Sequence, residues 1–286
     1  MARCEVCFRH CEIKEGESGF CGARTCRNGE VVPKHNGLLS ALALDPIEKK
    51  PLRRFHPGSL ILSAGGYGCN LRCPFCQNSE ISWSEEALHP GRNGRRTTPR
   101  ELADTAVRYR KNGNIGLAFT YNEPLVSYEF VRDTARLIHE EGMFNVLVTN
   151  GCASLTVLEE LTPYIDAMNI DLKGFTEHYY GDVLKGNLAM VKDFIREAAR
   201  ICHVELTTLI VPGENDSVEE MREISGWIAS LDTKEGHAGG RDIPLHISRF
   251  FPRFHMTDRA ATDVGMIYRL KEVAEEKLRY VYTGNC

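Results

Sequence analysis

Seven short apolar runs, each parted from the next by a stretch of helical spacing, constrain this chain more than any other feature. They are SLILSAG (59–65), IGLAFTY (115–121), FNVLVTN (144–150), AMNIDLK (167–173), CHVELTTLIV (202–211), PLHIS (244–248) and RYVYTG (279–284). Amphipathic patterns cover about 98–112, 126–142, 154–162, 187–200, 217–231 and 263–278. Thr98, Ser154, Asn187 and Ser217 stand where N-caps belong, since a short polar side chain satisfies an amide that the first helical turn leaves open. Strand alternating with helix predicts βαβ units on a parallel sheet. A doubly wound sheet and an open barrel both fit that rhythm, and the strand ends separate them. Three cysteines follow the first run, then come TYNEP (120–124), TNG (149–151), DLK (171–173), VPGEND (211–216) and HISRF (246–250). A (β/α) barrel makes its site from the loops at the C-terminal ends of its strands. A doubly wound sheet concentrates chemistry at one switch point instead. The expected fold class is α/β: a partial (β/α)6 TIM-like barrel over residues 58–286, open along one side.

Residues 1–57 read as a cysteine-rich N-terminal extension, with PIEKKPLRRFHPG (46–58) as its connector. The chain has 286 residues and a net charge of −4, a near balance that argues against wholesale nucleic-acid binding. The basic stretch GRNGRRTTPR (91–100) reads as a solvated loop. No run reaches the ~20 apolar residues of a membrane span, and MARCEVCFRH does not read as a signal peptide, so a cytoplasmic location is expected. Eleven cysteines, odd in number and clustered, then point to metal or redox chemistry rather than a disulfide framework.

The first βα loop, GCNLRCPFCQN (68–78), carries Cys69, Cys73 and Cys76 at C-x3-C-x2-C spacing. Thiolates suit zinc and iron–sulfur clusters. Three of them can hold a four-iron cube and leave one iron open to a small molecule. Asn70, Pro74 and the flanking glycines suit a loop that must turn tightly, and Phe75 offers an aromatic wall. A zinc knuckle with a distant fourth ligand, or three unrelated buried thiols, is the alternative.

With GFCGAR (19–24), DPIEKKPL (45–52), FTYNEP (119–124), VTNG (148–151), NIDLKGF (169–175), TTLIVPGEND (207–216), HISRFFP (246–252) and YVYTGN (280–285), the chain resembles the radical S-adenosylmethionine (SAM) enzymes. More narrowly it resembles the radical SAM member of the AmmeMemoRadiSam group, itself similar to pyruvate formate-lyase activating enzymes. The resemblance implies a [4Fe–4S] cluster on Cys69, Cys73 and Cys76. It implies reductive cleavage of SAM to a 5′-deoxyadenosyl radical, and hydrogen abstraction from a substrate. It places Tyr121, Asn122, Glu123 and Pro124 where backbone groups receive the methionine amino group, with Tyr and Asn replacing the glycines of the usual motif. It places Asn150 at the ribose, Lys173 at the SAM carboxylate with Asp171 fixing polar neighbours, and Val211 and Pro212 beside adenine, whose edge the Phe75 backbone reads. His246 and Arg249 are further candidates for SAM or substrate. Taken singly, Glu123 also reads as a helix N-terminal carboxylate, Asp171 with Lys173 as a surface ion pair, Asn150-Gly151 as a turn, and His246 as a core histidine.

Cys4, Cys7, Cys11 and Cys21 form a second group at C-x2-C-x3-C-x9-C, with His10 and Cys26 to spare. Zinc and an auxiliary iron–sulfur cluster are the alternatives there, set against a reduced, unliganded tail. Cys152 is expected near the mouth of the site, and Cys202 as a small buried residue. The resemblance further implies an electron-donor protein such as flavodoxin or ferredoxin, and a protein substrate in which a glycine becomes a radical. Radical modification of a small molecule or partner protein, and a non-catalytic zinc or cluster-binding interaction protein, are the competing readings.

Overall fold

Parallel strands buried on both faces read as unbroken apolar runs, and each of the seven runs becomes a parallel-paired strand, the last of them largely half-buried at an edge. The structure, a computed structural model, describes residues 1–89, 94–234, 236 and 239–286. Among the described residues its main sheet has eight strands: β1 (Ala41–Pro46), β2 (Leu60–Gly65), β3 (Asn114–Phe119), β4 (Phe144–Thr149), β5 (Ala167–Asp171), β6 (His203–Ile210), β7 (Leu245–Arg249) and β8 (Val281–Gly284). They lie in the order β8-β7-β6-β5-β4-β3-β2-β1. From β2 to β8 every pairing is parallel. Among the described residues β1 and β8 are the two edges of the sheet, so the partial barrel stays open between them.

Among the described residues six helices of seven residues or more return the chain: α1 (Pro99–Arg108), α2 (Tyr128–Glu140), α3 (Leu155–Leu161), α4 (Leu188–Ile201), α5 (Val218–Ala229) and α6 (Val264–Glu275). Thr98 makes a full capping box with Glu101, and Asn187 and Ser217 accept amides at Met190 and Glu220. Ser154 holds the N-cap position of α3, but its side chain makes no cap bond. Asp263 caps α6. None of the described helices is long and apolar enough to cross a membrane.

One strand of the main sheet went unread in the sequence. Residues of β1 pair antiparallel with β2, from Ala41 opposite Gly65 to Pro46 opposite Leu60. The sheet therefore draws on the stretch before residue 58. The segment after β1 is more than a connector as well. Ile47 and Leu52 are fully buried and, with Phe55, pack on Ile61, Ala118, Val146 and Ala167, the inward residues of four strands. They form an apolar plug inside the sheet. Alternation turns Asn169, Glu205 and His246 to this same inner face. Asn169 donates to the Pro51 carbonyl (2.8 Å) and accepts from the Thr207 hydroxyl (2.9 Å). Glu205 accepts the amides of Arg53 (2.9 Å) and Arg54 (2.7 Å).

The first forty residues form short antiparallel pairs. Ala2–Arg3 pairs with Glu12–Ile13, and Arg24–Arg27 with Glu30–Pro33. The second hairpin turns at Asn28-Gly29, both left-handed (φ 54° and 79°), the geometry that matches strand twist in two-residue turns. Buried Arg24 docks this module on α2, its guanidinium 2.7 Å from both carboxylate oxygens of Glu129. The Ser154 amide donates to the Val6 carbonyl (2.8 Å). Of the basic stretch, residues 91–93 lie outside the described residues, while Arg95–Arg96 are exposed and pair with Leu38–Leu39.

Candidate active site

The loop leaving β2 is tied down on every side. Gly68 (φ +94°) approaches the extension so closely that a Cβ would sit 2.7 Å from both the Cys21 carbonyl oxygen and the Ala23 side chain. The Cys69 amide donates to the Cys21 carbonyl (3.2 Å), and the Arg72 amide to that of Leu184 (2.8 Å). Arg72 also caps the Cys69 and Leu71 carbonyls (2.8 Å each) and donates to the Phe20 carbonyl. Asn70 donates to the Cys152 carbonyl (2.6 Å) and accepts from Asn150 (2.9 Å). The three cysteines thus reach one edge of the barrel mouth on a fixed backbone, each with a free thiol.

The ends of β3 and β4 complete the scaffold. Asn122 accepts the Gly66 amide (2.8 Å) and donates to the Gly68 carbonyl (3.0 Å). Tyr121 is left-handed (φ 72°); its carbonyl accepts from Asn78 (2.7 Å), and its hydroxyl donates to Asp45 (2.7 Å), which also holds Lys50 (2.8 Å). Glu123 is buried and receives three donors: the Thr149 hydroxyl (2.7 Å), the Asn150 amide (2.7 Å) and the Leu125 amide (3.0 Å). Of its two readings, the helix-terminal carboxylate is the one these bonds show: Glu123 caps the turn at Pro124 and also bolts β3 to β4. Asn150 donates toward the Cys69 sulfur at 3.7 Å.

On the facing side, Lys173 Nζ meets Asp171 Oδ2 at 2.9 Å, a part-buried pair. Its carbonyl accepts from Asn215, whose side chain also takes the Val211 amide (2.7 Å each), so Asn215 ties the end of β5 to that of β6. Val211 is fully buried, as is Tyr179 in the π-helical turn Tyr179–Val183. Phe75 stands edge-on to Phe250 with ring centroids 6.2 Å apart.

The electrostatics follow from burial. Desolvation pushes the Cys73 thiol up to about 12, and burial, Glu123 and Cys73 push Cys69 well above the ordinary thiol range. Burial raises Glu123 to about 7, against the pull of its three donors. Burial works against charge on Lys173 too, but Asp171 outweighs it and holds the ammonium well above its usual range. Such a pocket favours ligands that relieve the thiols of their protons, as thiophilic metals do.

Cys69, Cys73, Cys76, Asn150, Glu123, Asp171 and Lys173 are all brought to the mouth. His246 is not grouped with them. It lies against Glu205 (2.7 Å) and stacks on Tyr282 (centroids 5.3 Å apart), a satisfied core histidine in this structure. Arg249 donates to the Thr262 carbonyl (2.7 Å). Cys152 is fully buried, behind the loop rather than open at the mouth. Cys202 is buried as expected. Two residues carry signals that the sequence reading missed. Glu205 is an acid inside an apolar strand. The Tyr179 hydroxyl is buried without a hydrogen-bond partner, and both Cys73 and Lys173 act on it electrostatically. A π-helical turn is itself a frequent mark of functional sites.

The second cysteine group sits directly behind the first. Cys4, Cys7, Cys11 and Cys21 line one small cavity with Arg9, Arg24 and Asn70. Cys26 turns aside toward Glu15 (3.5 Å).

A barrel open at one side, with three free thiols on its first βα loop, is the architecture of radical SAM proteins, and the chain belongs to that superfamily, whose profile matches residues 65–224. It is an enzyme by that membership. It is 41% identical over 285 residues to the uncharacterized protein MJ0808 of Methanocaldococcus jannaschii, covering 99% of this chain and 81% of that protein. It is 26% identical over 173 residues to the pyruvate formate-lyase-activating enzyme of Clostridium pasteurianum, covering 59% of this chain and 69% of that enzyme. In fold it is similar to Streptococcus suis SuiB bound to S-adenosylmethionine, with a TM-score of 0.58 and 13% identity over 79% of this chain and 52% of that one. Membership implies a [4Fe–4S] cluster and SAM. The loop fits such a group: three free thiols share it, and the buried Tyr179 hydroxyl beside it has no protein partner.

Proposed function

We propose that Cys69, Cys73 and Cys76 hold the [4Fe–4S] cluster and that the chain uses it to cleave SAM reductively, activase-like, for hydrogen abstraction from a protein substrate. The observation that carries this reading is the loop itself: three free thiols on a backbone pinned by strand ends β3 and β4, the Leu184 turn and the extension. When bound, the cluster supplies one electron to the sulfonium of SAM, whose broken carbon–sulfur bond leaves methionine and the 5′-deoxyadenosyl radical. The chain's own residues bind and orient. The backbone at Tyr121–Glu123 receives the methionine amino group, and Lys173 meets the SAM carboxylate while Asp171 fixes its ammonium. Asn150 faces the ribose, and Val211 and the Phe75 backbone border the adenine. Glu123 acts by positioning, because its three donors hold the strand ends in place. The apolar walls at Val211 and Phe75 exclude water from a radical that would otherwise be quenched.

A protein substrate is supported by the relatives named as activating enzymes of pyruvate formate-lyase and 4-hydroxyphenylacetate decarboxylase. The open side between β8 and β1 would admit a peptide loop. A one-electron donor protein such as flavodoxin or ferredoxin completes the reaction. The test is anaerobic: reconstitute with iron and sulfide, add SAM and reductant, and measure 5′-deoxyadenosine. Wild-type chain should form it and Cys73→Ala should not. Undiminished product from the variant would remove the ligand assignment.

A further inference from the structure

We infer that Cys4, Cys7, Cys11 and Cys21 hold a second, fully protein-ligated iron–sulfur cluster, set against the loop that carries the first. The inference rests on the reading of the Cys69 loop as a cluster site, because that cluster would be the neighbour that takes the electron.

Four cysteines from 18 residues of sequence converge on one cavity, and all have free thiols. Little else would hold this module together. Its first pairing is two residues per strand, too short to be stable alone, and its buried apolar side chains outside the cysteines are few: Val6, Ile13, Ala23 and Leu39. A metal bound by the thiols would supply the missing folding energy. The basic groups agree. Arg9 and Arg24 both line the cavity, and each acts electrostatically with its cysteines. Four thiolates carry more negative charge than either a zinc ion or an oxidised four-iron cube neutralises, so two guanidinium groups suit both metals.

Placement separates the two metals. The four-cysteine cavity lies against the loop that carries Cys69, Cys73 and Cys76, with Asn70 lining it and the Cys69 amide bonded to the Cys21 carbonyl. A redox-active cluster there has an electron acceptor at hand, whereas zinc has no redox chemistry to offer it. The second site's fourth thiol leaves no iron open to SAM, so one-electron transfer is the chemistry left to it. An external one-electron donor would reduce it, and passing that electron to the Cys69-held cluster would return it to its oxidised state. The protein between the two is short: the Cys69 amide bonds the Cys21 carbonyl at 3.2 Å, and Asn70 both lines the second cavity and bonds Asn150 beside Cys69.

The test removes the first site and asks what stays. The full-length triple variant Cys69→Ala/Cys73→Ala/Cys76→Ala, reconstituted anaerobically with iron and sulfide, should keep about four irons per chain, against about eight in the wild type. Its reduced form should give an electron paramagnetic resonance signal that added SAM leaves unchanged. The wild type should show a second signal that SAM does change. Conversely, Cys4→Ser/Cys7→Ser should lose the SAM-insensitive signal and keep the SAM-sensitive one. About one zinc per chain and no iron in the triple variant would overturn the inference, as would a wild type holding only about four irons, all SAM-responsive. A wild type with a SAM-insensitive signal alone would uphold the second site and sink the first, so the two failures are distinct. Should the triple variant not fold, Mössbauer resolution of one or two cluster populations in the wild type decides the question.

Discussion

Two buried glutamates, one at the mouth of the barrel and one on its inner face by the plug, meet opposite fates. Glu123 accepts three hydrogen bonds, yet burial raises it to about 7. Glu205 is equally buried, and burial works against its charge too. Two imidazoles, His203 (3.0 Å) and His246 (2.7 Å), and the amides of Arg53 and Arg54 outweigh that and hold it at about 2. The difference lies in the company. Glu123 shares its end of the barrel with Asp171 and the thiols, so the mouth accumulates groups that are uncomfortable without a partner. In the plug region Glu205, the Asn169 side chain and the Pro51 carbonyl each accept from a donor. One end is built to receive something and the other to stay shut.

Glu123→Gln should have the largest effect on function. Three donors then face one carbonyl oxygen and an amide NH2 group, so the strand ends lose their register. Reconstituted iron at the Cys69 loop and 5′-deoxyadenosine formation should each fall at least about tenfold, the effect of losing roughly 1.4 kcal/mol or more. Unchanged activity would strip the residue of its positioning role.

Glu205→Ala should have the largest effect on stability, about 3–5 kcal/mol, because it leaves two histidines and two amides without their acceptor. Denaturant unfolding measures it, and SAM cleavage per bound cluster should stay near wild type. Acid titration sharpens the point. The folded value of about 2 lies below the unfolded value near 4.3, so this stabilisation is complete above about pH 4.5 and is lost as pH falls toward 2. It amounts to about 3 kcal/mol at neutral pH. In Glu205→Gln that acid limb should flatten, and a limb of unchanged steepness would refute the assignment.

Tyr179→Phe should leave stability within about 0.5 kcal/mol, since the lost hydroxyl has no protein partner. A severalfold weaker affinity for SAM, read by equilibrium binding, is expected if that hydroxyl serves the ligand. Unchanged affinity would class it with the plug region, as structure only. The smallest effect on function belongs to neither end. Thr98→Ala removes the capping box of α1 and should cost about 1 kcal/mol with activity intact.

The rhythm of seven apolar runs and six helices was legible because each element carries its own periodicity and most carry their own cap. The three-cysteine loop was legible because its ligands are neighbours in sequence. What sequence concealed depends on distant partners. The stretch ALALDP became a strand only because β2 offers it an antiparallel edge. PLRRF reads as a polar connector, yet its leucine and phenylalanine fill the inside of the sheet while its arginines present only their amides inward. His246 read either as a site residue, from the HISRF stretch at a strand's C-terminal end, or as a core histidine, and only Glu205, from another strand, shows where its ring goes. Tyr179 needed the π-helical turn to bring it beneath the loop, with Gly174 leaving room where a Cβ would stand 2.5 Å from its ring.

The plug has a consequence for how the molecule comes to be. Its amides wait for a carboxylate 152 and 151 positions downstream. A ribosome therefore releases residues 47–55 long before their acceptor exists. Strands two to five emerge with the stopper held by apolar packing and by Asn169, the sixth strand brings the carboxylate that takes its amides, and the seventh and eighth extend the sheet after it. Contacts so remote along the chain make assembly slow, and a nascent product truncated before residue 205 would leave its cysteines mounted on a barrel that cannot seal.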